Sequence, residues 1–381
     1  MKSFSINLWI TGMFIISLAL LNACGNKSPS DVDPNFIPDT AYSPQHARLF
    51  KVGTRDGHRA VIVLNPWDTN QVWGRYILAS RKENYKVPKG YTLVYQPIRT
   101  LATTSSTLFS SLQSLGCMQR LTGVSDSAFI INPTVKKRIK KGLIVEIGQG
   151  DRIFNEQLIA CDPDAAFFSL FPGTDFERFR SVGIVALPLA DYLESTPLGR
   201  AEWIRFIGIF LGKEHEADSI FKEIKTNYLR MKELALSIND KPSIIDGMLQ
   251  GDTWYVSASQ SYMAELYRDA GLNYVFSDKP GPGSIPVSFE EIVSRSSKAE
   301  YWRLLLANKN LNNRSDLLNL DPRYKLLPVF TNSKILYCNV SEVPLYEVGN
   351  ARPDLVLSDL IHLTHPGLDS DYQPYFYHLL P

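Results

Sequence analysis

The sequence predicts an α/β protein of two lobes with mainly parallel sheets, joined by a single long helix. Two observations carry that expectation. Short apolar runs alternate with capped helical segments from Ile98 to Leu187 and again from Ser243 to Leu363, the rhythm of strand–helix–strand units. Between these blocks Ala217, Ile220, Phe221, Ile224, Tyr228, Met231 and Leu234 recur at the spacing of one helix face. The expected organisation is a signal segment over 1–23, a tether over 24–45, a first lobe over 46–198, a helical bridge over 199–240 and a second lobe over 241–381.

Lys2 gives a basic start, and Ile10–Leu21 is an apolar run too short to span a bilayer comfortably; with the small Ala23 behind it, the segment reads as a secretory signal. Cys24 directly follows and resembles the lipobox cysteine of a bacterial lipoprotein, although Asn22 departs from the usual residue at its place. That resemblance implies an acylated Cys24, a lipid anchor on a membrane and a place in the periplasm or cell envelope. The polar, proline-bearing stretch 25–44 is expected to be a disordered tether.

Residues 46–64 and 72–80 alternate apolar and polar positions and predict an antiparallel ribbon. Pro97–Ala102 then reads as a strand, Thr103–Thr107 as a hydroxyl-rich loop, Leu108–Leu115 as a helix closed by Gly116, and Leu121–Val124 as the next strand. Helices over Ile153–Ala160 and Asp175–Val182 flank a strand at Ala165–Phe168, and Ile184–Leu187 is a further strand. Arg200–Leu211 is a helix that Gly212 interrupts; the long stripe follows and stops before Pro242. The second block gives a strand over Ser243–Leu249, helices over Ser261–Ala270 and Ser288–Arg295, a strand over Lys334–Cys338 and a final helix over Pro353–Leu363.

With 40 basic and 39 acidic residues the net charge is +1, so no overall field draws nucleic acid or an anionic surface. After Cys24 only Cys117, Cys161 and Cys338 remain, with no Cys-x-x-Cys and no Cys/His pair at metal spacing; a Cys117–Cys161 bridge is left open. The six histidines are scattered, so no metal site and no cofactor is expected. Neither a Gly-x-Ser-x-Gly elbow nor a convincing carboxylate pair marks catalytic machinery.

Several segments, in order, resemble one family. They are Ile98–Gly116, Leu121-Thr-Gly-Val-Ser-Asp126, Val145-Glu-Ile-Gly148 with Phe154–Asp164, Gln250-Gly-Asp-Thr-Trp-Tyr-Val256 with Ser261–Leu266 and Ala270-Gly271, and Ala351-Arg-Pro-Asp-Leu355. Together they are similar to the substrate-binding proteins of ABC importers for iron–siderophore, haem and cobalamin, the class with a rigid helical bridge. The segment Arg295–Trp302 departs by lacking the Pro-Asp that usually precedes the next strand.

The resemblance implies two Rossmann-like lobes with a ligand cleft between them, no chemistry on the ligand, and delivery to a membrane permease by a monomeric carrier. The ligand so implied is an iron chelate (siderophore or haem) or cobalamin. Ligand contacts fall at strand ends: Thr104, Phe129, Gln149 and Phe171 in the first lobe, and Trp254, Tyr255, Tyr262 and Arg352 in the second. For each aromatic the residues alone leave core packing open, and for the Ser/Thr loop a plain helix cap. Permease-docking glutamates map to Glu177 and Glu290. A capping-box reading competes at both: Thr174-x-x-Glu177, and Ser288-x-x-Glu291, which would leave Glu290 free. An enzyme acting on such a ligand and a purely structural surface lipoprotein are the alternative readings.

Overall fold

The computed structural model describes residues 33–169, 171–172, 174, 179, 181, 183–307, 311–368 and 372–381. Cys24, Glu177 and most of the helix expected at Asp175–Val182 lie outside the described residues.

Each lobe is built on a parallel-rich sheet. In the first, the order is Ala186–Leu189, Ala165–Ser169, Leu101–Thr103, Leu121–Ser125, Val145–Gln149 and Arg152–Ile153, with only the last pair antiparallel. In the second, the order is Asn273–Tyr274, Ser243–Asp246, Tyr301–Leu306, Lys334–Asn339 and His378–Leu380, again with only the last pair antiparallel. These strands carry continuous apolar runs such as Ala165–Phe168 and are buried along them, because helices cover both faces of a parallel sheet.

The expected ribbon forms as strands Phe50–Arg55, His58–Asn65 and Asp68–Ser80, and Thr92–Gln96 joins it parallel to the last of these. Its alternation has a physical reading: Val61 and Val63 enter the first-lobe core, while Ala60, Ile62 and Leu64 pack with Phe36, Ile77 and Tyr91 on the other face. Part of the stretch expected as a disordered tether packs on the ribbon: Ile37–Pro38 pairs with Thr54 and Gly53, and Asp39 joins Arg59. Two buried carboxylates hold residues 45–49. Glu202 accepts the backbone N–H groups of Gln45, His46 and Ala47 at 2.7–3.0 Å and pairs with Arg205 at 2.8 Å. Glu194 accepts those of Arg48 and Leu49 at 2.8 and 2.9 Å. A carboxylate taken out of water requires such donors, and the segment supplies them.

The connection between lobes is two helices. Pro197–Leu211 starts at Thr196, whose side chain accepts the Gly199 N–H, and ends at Gly212 in the left-handed conformation (φ 66°). It is buried almost throughout and belongs mainly to the first-lobe core. Glu214–Leu236 is the long helix expected from the stripe. Its Ala217, Phe221 and Ile224 enter the first-lobe core, and its Tyr228, Met231 and Ala235 enter the second-lobe core. At ~1.5 Å per residue it is roughly 35 Å long, enough to cross both.

The strand expected over Ser243–Leu249 is two strands broken at Gly247. Gly247 has φ +90°, and a Cβ there would lie 1.8 Å from the Tyr255 carbonyl oxygen. Beyond it, Met248–Gln250 leaves the parallel sheet and pairs antiparallel with Thr253–Ser257, which pairs with Ser284–Val287. The Asp246-Gly247 dipeptide is the turn signal that marks this break. Cys117, Cys161 and Cys338 are all unbridged thiols.

Gly247→Ala combines a backbone clash with a left-handed conformation, so we expect a loss of about 3 kcal/mol or more, read from the urea midpoint. A second expectation concerns pH. His365 is buried with Nε2 2.8 Å from the Ala270 carbonyl oxygen, and burial lowers its pKa from 6.5. The unfolded chain therefore takes up a proton near pH 6.5 that folded His365 does not, so stability falls as pH drops below that value. Denaturation compared at about pH 7.5 and about pH 5.5 reads this slope, and His365→Gln reduces it.

Candidate functional site

A cavity of about 530 Å³ lies between the lobes, walled mostly by the second lobe, with Ser106, Thr107 and Tyr192 from the first and Arg200 from the bridge. Strand register builds its floor. Asp246, last in its strand, stands opposite Arg303 of the neighbouring strand, and both border the cavity. The Asp246 carboxylate is buried and fully engaged: it accepts from the Tyr274 hydroxyl at 2.7 Å, the Tyr267 hydroxyl at 3.0 Å, the Ser257 hydroxyl, and the Ser257 N–H at 3.2 Å.

Arg303 has no such counterpart. Its Nε donates to the Tyr377 hydroxyl at 2.7 Å, its guanidinium lies 5.3 Å from that ring's centre, and no carboxylate is within ion-pair distance among the described residues. Arg200 is similar. It donates to the Glu194 carbonyl oxygen at 2.8 Å and to Asn350 Oδ1 at 2.9 Å, and stacks on the Tyr262 ring at 3.9 Å, again without a carboxylate partner among the described residues. Burial pulls the Arg200 pKa below its usual value and pushes the Tyr262 and Tyr192 phenols up to about 12. The cavity therefore presents two cationic forks among neutral phenols and hydroxyls, with the internally bonded Asp246 carboxylate beside Arg303 holding that guanidinium charged, a lining that suits an anionic ligand with flat faces.

Of the residues singled out from sequence, Tyr255 and Tyr262 border this cavity, Tyr255 being half-exposed and Tyr262 donating to the Gly349 carbonyl oxygen at 3.2 Å. Three others do something else. Trp254 is fully buried (0% exposed) in the second-lobe core, its indole N–H donating to the Asp246 carbonyl oxygen at 3.0 Å; strand alternation sends it to the face opposite Tyr255. Thr104 uses its hydroxyl to accept the Ser169 N–H at 2.9 Å and so ties two strand ends together. Arg352 closes a two-pronged pair with Asp354 at 2.7 and 2.8 Å where the last helix begins. Phe129 (80% exposed), Gln149 and Phe171 are exposed on the first lobe and do not border the cavity.

The hydroxyl loop was expected to face either the ligand or a helix end. Thr107 makes no side-chain cap, and Ser106 and Thr107 line the cavity. Glu290 is exposed in the first turn of Phe289–Ser296, with no hydrogen-bond or ion-pair partner among the described residues. Ser288 does cap this helix by accepting the Glu291 N–H. The Glu291 carboxylate, however, pairs with Lys279 at 2.9 Å and Arg295 at 3.0 Å instead of reaching back. Sequence reasoning passed over Arg303 and Arg200. The signal was there in Tyr301-Trp-Arg-Leu-Leu-Leu306, where one cation interrupts an otherwise apolar buried strand. Among the described residues, no three His, Cys, Asp or Glu side chains converge as a metal site.

The family model described as "Periplasmic binding protein" matches residues 101–341. Two uncharacterized lipoproteins of Methanocaldococcus jannaschii are similar, at 25% identity over 64% of this chain and 22% over 64%. The matched region spans only 58% and 64% of those relatives' own length. Among solved structures, a periplasmic heme-binding protein from Pseudomonas aeruginosa superposes with TM-score 0.58 at 16% identity, covering 74% of this chain and 98% of that one. RhuT, a periplasmic heme-binding protein from Roseiflexus, gives 0.53 at 18%, covering 69% and 96%. Helicobacter pylori CeuE with bound Ni(II) gives 0.57 at 17%, covering 76% and 91%. At such identities the likeness is one of fold. The matched region covers more than half of the chain, from Leu101 in the first-lobe sheet to just beyond Lys334–Asn339 in the second-lobe sheet, and the chain belongs to the periplasmic binding protein family.

Proposed function

We propose that this chain is a lipid-anchored substrate-binding protein that captures an anionic iron chelate, a ferric siderophore or haem, and delivers it to an ABC importer permease. One observation carries the choice of ligand: Arg200 and Arg303 sit in the interlobe cavity without carboxylate partners among the described residues. A buried guanidinium without a direct ion pair is costly, and a ligand bearing carboxylates or catecholates supplies the anion. Cobalamin remains the second ligand class of the family resemblance, but its uncharged amide rim makes less use of two arginines. Tyr255 and Tyr262 offer ring faces to the body of the chelate, and the exposed Phe129, Phe171 and Gln149 are contacts for a ligand that extends beyond the cavity.

Cys24 is the proposed acylation site, and the lipoprotein names of the Methanocaldococcus relatives support an envelope location. Glu290, exposed and unengaged, is the proposed docking contact of the second lobe for a permease arginine, with Glu177 its counterpart on the first. The family membership supports a carrier rather than an enzyme.

Thermal unfolding of the soluble body against ferric siderophores, haem and cobalamin tests the reading. A melting point that rises with the concentration of an anionic chelate is expected, and no shift with any member of the panel would reject it. Arg303→Met keeps the bulk of the side chain and loses the charge, so affinity for the chelate drops by about ten- to a hundredfold. Unchanged affinity would remove the observation on which the proposal rests. The two neighbouring aromatics then separate. Tyr255→Ala weakens binding with little loss of stability, whereas Trp254→Ala costs about 3–5 kcal/mol of stability in a urea titration.

A further inference from the structure

The segment Leu345–Asn350 does two things at once. It forms part of the cavity wall through Leu345, Tyr346, Gly349 and Asn350. It also carries the second lobe's polar contacts onto the first. Glu347, in a single π-helical turn, is 4% exposed, and its Oε1 accepts the Ile131 N–H at 2.6 Å, just before the helix Pro133–Lys140. Asn350 donates to Asp191 Oδ2 at 2.5 Å and accepts from Arg200 at 2.9 Å. The segment packs against the helix Leu108–Ser114 and is steadied on its own lobe by the Tyr262 hydroxyl.

We propose that Leu345–Asn350 is a latch that holds the second lobe against the first, with Glu347 as its catch, and so sets how far the interlobe cavity opens. Moving the lobes apart must break the Glu347–Ile131 and Asn350–Asp191 contacts, and the same movement carries Tyr346 and Leu345 away from Ser106, Thr107 and Tyr192 on the first-lobe side of the cavity. The latch is poised rather than locked. The Glu347 and Asp191 carboxyls are both buried in the closed arrangement, and burial raises the pKa of each, a desolvation cost that opening would relieve by hydrating them. π-Helical turns recur where a helix is distorted for function, and this one stands at the cavity's edge. The inference rests on the carrier reading only for the purpose of the movement; the latch itself is a property of the empty protein.

Amide hydrogen exchange on the ligand-free protein tests it. Glu347→Ala is expected to speed exchange at Ile131 by at least about tenfold and to raise the radius of gyration in X-ray scattering. Glu347→Gln keeps an acceptor oxygen without the charge, is nearly isosteric, and should accelerate exchange by an intermediate factor of about threefold. If neither variant changes exchange at Ile131, or if Glu347→Ala speeds it with no change in the radius of gyration, the latch is refuted. Since no ligand is used, that failure is distinct from a failure of the carrier reading, which the melting panel decides.

Discussion

The helix Glu214–Leu236 is shared by two hydrophobic cores, and a single helix cannot serve both without fixing the distance between them. Ala217, Phe221 and Ile224 are buried in one lobe, and Tyr228, Met231 and Ala235 in the other. Sliding or bending this helix would pull apolar side chains from one core or the other, at about 25 cal/mol per Å² of surface exposed. The lobes are therefore held at a set spacing on the bridge side. Segment 45–49, clasped by Glu202 and Glu194, reinforces the preceding helix against the ribbon.

On that frame the site is an electrostatic arrangement. In the second lobe, hydroxyls and a backbone N–H absorb the charge of Asp246, while the neighbouring strand leaves Arg303 to Tyr377 and to whatever enters the cavity. One charge is satisfied internally and the other is kept in reserve. Arg200, stacked on Tyr262 and bonded to Asn350, places a second reserved cation where bridge and lobes meet. In a low-dielectric site an anion is worth far more to such groups than it would be in water, which gives a carrier affinity without covalent chemistry.

The parts of this account legible in the sequence were those with a local signature. The stripe from Ala217 to Leu234 has the helical period, the ribbon alternates, and the parallel strands appear as apolar runs between capped helices. What could not be read depends on contacts between residues distant in sequence. The stretch 25–44 was expected to be disordered because nothing near it in sequence shows that Ile37–Pro38 pairs with the ribbon or that the Tyr42 hydroxyl donates to the Glu214 carbonyl oxygen, 172 residues on. Thr253-Trp-Tyr-Val256 declares a strand but not which face meets the core, so Trp254 and Tyr255 looked equivalent although one is buried and the other borders the cavity. Arg352 looked available until Asp354, two residues away, engaged it. Arg303 was hidden inside an apolar strand, where its charge should have been the warning.

Binding of an anionic chelate between the lobes by Arg303 and Arg200 is decided by crystals of the soluble body grown with a ferric tris-catecholate. Density is expected between the lobes, with ligand oxygens within hydrogen-bond distance of Arg303 and Arg200 and a ligand face against Tyr255 or Tyr262. Ligand bound elsewhere on the protein, with both guanidinium groups still facing an empty cavity, would contradict it.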